Sequence, residues 1–413
     1  MKFKNLLMER KNMQFKCYQK LLKSFINKNM VIFVIMFFLF STTNAGEQSK
    51  EEEKECKQLH YRTKYEKVLR ASVDLDQWSY LAFPSVLQID PSTVLISYKR
   101  GESHGGDPGA KLEMMRYDAL AEKIIETRII GDIEDLIFQM GEWVKFPNGD
   151  IGNYVDVQKI VPTPDYRKNH RTGIYFCRSE DGGTNFSPMQ KMDAVDGIEY
   201  GYVFEDVIVG SQVYMLVMTF PELVGKIGEE GWKYGKVHVI MSGDNGASWK
   251  FVRDLSKEFG DIDINESSYI QVGNRFIVTT RGYDGQERLH LTDDKFEVIK
   301  QVNLTEKYSC IQRLIGRPRL FKRDGATYLI GRDYTEPLRL CLYKFDPETL
   351  DIESYAVLDQ RPGDAYYAEV FFIEKSGKTY FNTITYTNQA ISGKPDILRL
   401  EFPWEEINGI SAE

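Results

Sequence analysis

Ser179-Glu180-Asp181-Gly182-Gly183-Thr184-Asn185-Phe186 and Ser242-Gly243-Asp244-Asn245-Gly246-Ala247-Ser248-Trp249 decide how this chain is read. Both spell Ser-x-Asp-x-Gly-x-x-aromatic, and both follow a short strand-like run. The chemistry is that of a tight hairpin. The Asp carboxylate accepts backbone N–H groups across the turn, glycine supplies a positive φ, and the aromatic ring packs back on the sheet. The copies lie about one supersecondary repeat apart, which points to a repeated β unit.

Working outward, residues from about Tyr65 to Trp404 form short apolar runs broken by Gly, Asp, Asn and Pro. No helical period is sustained, and Tyr117–Ile130 stays ambiguous between helix and strand. Six strand–turn–strand units look alike. They run from Phe83 to Tyr98, Trp143 to Gly152, Asp206 to Met218, Ser268 to Val278, Arg319 to Ile330 and Val370 to Phe381. Six hairpins at a blade-like period predict an all-β, six-bladed β-propeller over residues 65–405, with 406–413 as a C-terminal tail. A β-sandwich is the alternative, and it would not need the repeat.

Ahead of this region the composition changes. Residues 1–29 are basic, Met30–Phe40 is an apolar run, and Ser41-Thr42-Thr43-Asn44-Ala45 is a small-residue exit. The pattern predicts a signal peptide over 1–45 and a secreted or periplasmic protein, clear of the membrane once the signal is cleaved. The run is shorter than the ~20 residues of a spanning helix, and an uncleaved anchor is the alternative. Residues 46–64 open on a charged stretch and read as a solvated linker. Cys56, Cys177, Cys310 and Cys341 match no zinc spacing, so no metal and no other cofactor is expected. Cys310 and Cys341 are candidates to pair across neighbouring strands, or to stay buried free thiols. A net charge of −8 without a basic stripe in the main region excludes nucleic acid as a natural partner. The abundance of Tyr and Phe suits both a β-rich core and a sugar-binding cleft.

In a propeller, residues that flank the innermost strands converge on a central channel. Those positions carry Arg100, Asp107, Glu142, Glu205, Glu266, Arg281, Arg317, Arg332 and Glu369. They predict either a polar funnel for a ligand or a ring of mutually satisfied ion pairs.

The two Ser-x-Asp turns resemble the Asp-box of the sialidase superfamily, and further segments extend the resemblance over about residues 75–390. Asn265-Glu266-Ser267-Ser268-Tyr269, continuing to Arg281, resembles the stretch bearing the activating Glu and one triad Arg. Ala365-Tyr366-Tyr367-Ala368-Glu369 resembles the segment of the nucleophilic Tyr, with Tyr367 favoured and Tyr366 the alternative, since strand neighbours face opposite ways. Lys99-Arg100-Gly101 to Asp107 resembles the loop that places the acid/base Asp, with His104 as a second candidate. Gly316-Arg317-Pro318-Arg319 resembles the site of another Arg, with Arg319 as the alternative to Arg317. The resemblance implies catalysis by Asp107, Glu266 and Tyr367, with Arg100, Arg281 and Arg317 binding substrate. Arginine forks suit a sugar carboxylate, and an uncharged phenol approaches an anomeric centre that bears one without repulsion. One departure stands out: the family's Arg-Ile-Pro is Ala82-Phe83-Pro84 here. The expected function is therefore an exo-acting, retaining glycoside hydrolase, acting as a monomer on a terminal acidic sugar of a glycan. A propeller hydrolase or lyase for another acidic sugar such as a uronic acid, and a non-catalytic glycan-binding propeller, are the alternatives.

Overall fold

Strands rich in Val, Ile, Tyr and Phe build six antiparallel sheets in the computed structural model of the chain. The structure describes residues 54–161, 169–363, 365–388 and 393–410. In the first sheet Tyr80–Gln88, Thr93–Gly101, Lys111–Asp118 and Lys123–Gly131 lie side by side in chain order. The next five sheets repeat the plan, opening with Ile137–Lys145, Tyr202–Val209, Ile264–Val272, Ile315–Arg323 and Glu369–Lys375. These opening strands touch one another from sheet to sheet, while closing strands such as Lys123–Gly131 and Val298–Asn303 are largely exposed. That arrangement is a six-bladed β-propeller, and the six look-alike units of the sequence are its six inner hairpins. The ambiguous stretch Tyr117–Ile130 is the outer part of the first blade, with Asp118 ending one strand and Lys123 opening the next.

The ring closes through hydrogen bonds. The outer strand of the sixth blade is Tyr65–Arg70, from near the start of the described chain. It pairs antiparallel with Pro395–Pro403, Tyr65 facing Glu401 and Arg70 facing Ile397. Between blades the core is aromatic: Phe276 and Phe296 pack on the third blade's Tyr214 and on Tyr269, with Phe276 stacked 4.4 Å from Phe296. A ring of this kind leaves only short strand edges, so its blades are held together largely by these inter-blade layers.

The two rim turns share one plan. Asp181 accepts the backbone N–H groups of Thr184 (3.0 Å) and Asn185 (2.8 Å), and Ser179 Oγ accepts that of Gly183 (2.8 Å). Asp244 accepts from Ser248 N–H (2.9 Å), and Ser242 Oγ from Gly246 N–H (2.8 Å). Phe186 then packs on Trp143, and Trp249 on Tyr154.

Two features differ from expectation at the chain's flanks. The described part of the 46–64 stretch stays largely exposed but is anchored to the propeller. Lys57–Leu59 adds a parallel strand to the outer edge of the fifth blade, pairing with Ser354–Ala356, and Cys56 forms a disulfide with Cys310. Cys310 therefore does not pair with Cys341, which is buried and reduced like Cys177. Within the tail, Glu406 accepts the backbone N–H of Thr63 at 3.0 Å and of Arg62 at 2.6 Å. The expected signal over 1–45, residues 46–53 and residues 411–413 lie outside the described residues. Among the described residues no helix is long and apolar enough to cross a membrane.

Candidate active site

In five of the six blades the innermost pair of strands carries a register break. The breaks fall at 82–85, 138–141, 203–205, 264–267 and 316–319. A bulge leaves a residue unpaired and turns its side chain out of the ladder. Here the breaks contain Phe83, Met140, Phe204, Glu266 and Arg317, and Phe83 and Arg317 take positive φ values of 56° and 47°. The breaks of the first, second and fourth blades thus aim Phe83, Met140 and Glu266 at one end of the central channel.

That end is a pocket of about 640 Å³, a volume suited to a small ligand. Phe83, Met140, Tyr202 and Tyr367 form an aromatic and apolar wall. Gln139, Asp156, Gln158, Asn169 and Arg171 of the second blade form a polar wall, and Glu266 and Arg281 of the fourth blade complete the lining, with His104 at the mouth.

Glu266 is the hub. The Tyr367 hydroxyl donates to its Oε1, which Tyr202 Oη also approaches at 3.5 Å. Arg281 donates to Oε2, and the backbone N–H of Arg317 donates to the same oxygen at 2.8 Å. Burial alone would raise the Glu266 carboxyl. Arg281 and Arg332, the Tyr367 hydroxyl and Arg317 outweigh it and hold the group at about 2. Tyr367 shifts the other way: burial first, then the charge of Glu266, pushes its phenol well above 10. At neutral pH the pair is therefore a carboxylate holding a neutral phenol. Arg332 flanks the other side of Tyr367, its guanidinium 5.3 Å from the ring centre and donating to Ala365 O at 3.1 Å.

Of the six residues expected in the site, three meet there: Glu266, Tyr367 and Arg281. Tyr366 turns away, buried with its hydroxyl on Asp359 (2.7 Å). Arg317 lies beneath the pocket. Its guanidinium joins Glu142 and its backbone braces Glu266. Arg319 points inward, not outward, and bonds Glu142 (2.6 Å), Glu205 (2.6 Å) and Glu369 (2.7 Å). The channel charges are thus paired with one another below the pocket, and of the nine only Glu266 and Arg281, themselves a pair, line it. Among the described residues no group of three or more His, Cys, Asp or Glu is placed to hold a metal ion.

Asp107 and Arg100 are not in the pocket. Asp107 pairs with the buried Lys99 (2.8 Å) and accepts the backbone N–H groups of Glu102 (2.9 Å) and Ser103 (3.2 Å). The fit is tight enough that a Cβ on Gly101 would lie 2.2 Å from Asp107 Oδ2. Asp107 is the brace of its loop, and the same Lys99 ammonium also holds His104 O (3.2 Å) and Gln139 Oε1 (3.3 Å). Arg100 turns into the first blade and bonds Glu113 at 2.7 Å. At Ala82-Phe83-Pro84, Phe83 fills the pocket wall, its ring 5.0 Å from that of Tyr367.

Solved structures place this architecture. An unknown-function protein from Dyadobacter fermentans superposes with a TM-score of 0.63 at 13% identity, covering 84% of this chain and 97% of its own. The NanB sialidase of Streptococcus pneumoniae, as its K499G mutant, gives 0.59 at 9% identity over 83% and 71% of the two chains. The fold is sialidase-like. The Hadza microbial sialidase Hz136 gives 0.58 at 11% identity, covering 84% of this chain and 69% of its own. No protein-family profile matches the chain. No curated protein sequence matches it. At such identities the likeness is one of fold, and the chemistry has to be argued from the pocket itself.

Proposed function

We propose that the chain is an exported glycoside hydrolase that removes a terminal acidic sugar with retention, using Tyr367 as nucleophile. The observation that supports this reading is the Tyr367 hydroxyl donating to a buried, ionised Glu266 at the floor of an open pocket. A neutral phenol meets an anomeric centre carrying a carboxylate without charge repulsion, and it needs a base to take its proton as it attacks. Arg281 lines the pocket with about a fifth of its side chain open, positioned to fork a sugar carboxylate. That substrate charge would also draw on the field of Arg281 and Arg332, loosen their hold on Glu266 and make it a stronger base. Substrate binding and activation of the nucleophile are then linked. The Cys56–Cys310 disulfide suits an oxidising compartment, in keeping with export.

A panel of 4-methylumbelliferyl sialosides and uronides tests the proposal. Turnover of one of them, abolished in Tyr367→Phe while affinity for the released sugar persists, is the expected result. A binding-only glycan pocket is the second reading, favoured by Ala82 at the missing arginine and by the engagement of Asp107. It predicts sugar binding with no turnover of any glycoside in the wild type.

A further inference from the structure

With Asp107 tied to Lys99, a hydrolase built on Tyr367 lacks the group that protonates the leaving oxygen. The polar wall of the pocket holds a carboxyl that no expectation had assigned. Asp156 stands on the second strand of the second blade, in the apolar run Tyr154-Val155-Asp156-Val157. It is 3% exposed and lines the pocket. Its two oxygens differ: Oδ2 accepts Gln158 Nε2 at 2.8 Å and lies 3.5 Å from Arg171 Nη2. Oδ1 is buried and, among the described residues, has no hydrogen-bond partner. A buried carboxyl oxygen left unpartnered is costly for folding alone, and such groups call for a functional explanation. We propose that Asp156 is the proton donor of this site, delivering its proton to the glycosidic oxygen. The assignment rests on the hydrolase reading above.

Its surroundings suit the role. Arg171 continues across the pocket, its guanidinium 5.6 Å from the Tyr202 ring, and Tyr202 reaches Glu266. The polar wall and the nucleophile pair thus face one open pocket. The charged groups that reach Asp156 are Arg171, Glu222 of the short helix Pro221–Val224, and Lys99 of the first blade. Burial raises the carboxyl, and Glu222 adds to that. Arg171, the Gln158 amide and Lys99 oppose it, and the net shift is upward. An acid shifted upward keeps its proton closer to neutral pH.

The two steps balance. In the first, Tyr367 Oη bonds to the anomeric carbon and its proton passes to Glu266. The bond to the aglycone breaks, and the leaving oxygen takes the proton of Asp156. In the second, ionised Asp156 takes a proton from water as the water oxygen attacks the anomeric carbon. The bond to Tyr367 breaks and Glu266 returns the proton to the phenolate. The sum is glycoside plus water to sugar plus alcohol.

Asp156→Asn, assayed on methyl and 4-nitrophenyl glycosides of the sugar the panel identifies, tests the assignment. The expected kcat/KM falls ~10²–10⁴-fold on the methyl glycoside and far less on the 4-nitrophenyl glycoside, which needs no acid. The basic limb of the pH profile disappears, and added azide accelerates turnover to a glycosyl azide of retained configuration. Gln158→Met is the second variant: without that donor to the ionised form, the basic limb moves to higher pH. Infrared difference spectra of wild type against Asp156→Asn, recorded across the pH range, should show the Asp156 carboxyl keeping its proton to higher pH than a solvated Asp. Equal losses on both glycosides with an unchanged pH profile overturn the assignment, as does the leaving-group effect appearing in His104→Gln instead. Turnover that survives Tyr367→Phe would instead remove the Tyr367-nucleophile mechanism on which the assignment rests, whatever Asp156 does.

Discussion

Glu266 Oε2 accepts the backbone N–H of Arg317 at 2.8 Å, and that N–H belongs to a residue with φ of +47° inside a strand bulge. A left-handed conformation at a large side chain costs on the order of 1–3 kcal/mol. Here it turns the fifth blade's backbone toward the fourth blade's carboxylate, so Oε2 is occupied by Arg281 and Arg317. Oε1 is left to the two tyrosines, Tyr367 and Tyr202. The carboxylate is held in one orientation by a neighbouring blade.

The two adjacent tyrosines should respond in opposite ways to the same substitution. Tyr367→Phe removes the proposed nucleophile and leaves the fold standing, since the ring keeps its edge contacts with Phe83 and its place beside Arg332. Tyr366→Phe leaves turnover intact and costs about 1.5–3 kcal/mol of stability, because it strips Asp359 of a buried hydroxyl donor. Urea denaturation and glycoside turnover, measured on both variants, check this.

Asp107→Asn separates a brace from a proton donor. The amide oxygen still accepts from Glu102 and Ser103, but the buried Lys99 loses its counter-charge. Breaking a buried pair of this kind costs roughly 3–5 kcal/mol. Lys99 can relieve part of that by releasing its proton, since burial already lowers its pKa against the pull of Asp107. The expected result is a lowered Tm with turnover of methyl and 4-nitrophenyl glycosides affected alike. A loss confined to the methyl glycoside would return the acid role to Asp107.

The inner hairpins were legible because each pairs two apolar runs across a polar turn, and a strand buried on both faces has to read that way. Glu266, Arg281 and Tyr367 were legible because they sit at the ends of those strands, where the channel opens. Asp107 and Arg100 were not, because a side chain's destination depends on which buried charge claims it. Asp107 is claimed by the Lys99 ammonium and Arg100 by the Glu113 carboxylate, both partners within the same blade. Asp156 was hidden mid-strand on an outward step from the channel, yet it left one signal: a carboxylate set between Val155 and Val157. The Cys56–Cys310 bridge was missed because Cys56 lies in a charged stretch that composition alone assigns to solvent.

Reducing that bridge should loosen the edge of the fifth blade. It spans 254 residues, and a bridge closing so long a loop contributes ~2–5 kcal/mol by restricting the unfolded chain. Cys310→Ser, or wild type under reductant, should lose that much in denaturant unfolding and become cleavable by protease near Lys57. The ring should still close, because Tyr65–Arg70 pairs with Pro395–Pro403 independently of the bridge. An unfolding curve that ignores reductant would contradict this.

The buried carboxyls set the pH at which the fold is most stable. Glu287 accepts from Thr279 Oγ1 (2.5 Å) and Ile315 N–H (3.0 Å), yet burial raises it to about 8, and burial also raises Glu369 in the ion network. Unfolded, both return to about 4.3. Between those values the native state holds more protons than the unfolded one, so stability falls as pH rises from about 5 to 8. Glu266, Asp351, Asp181 and Asp244 act oppositely. Each is held at about 2, so its contribution is complete above the unfolded value and is lost as pH falls toward 2. The two trends cross near pH 5, where Tm should peak. Glu287→Gln should flatten the fall between pH 5 and 8 and leave the acid side unchanged. Thermal unfolding of both proteins from pH 3 to 9 measures this, and a Tm that climbs from pH 5 to 8 in the wild type would contradict it.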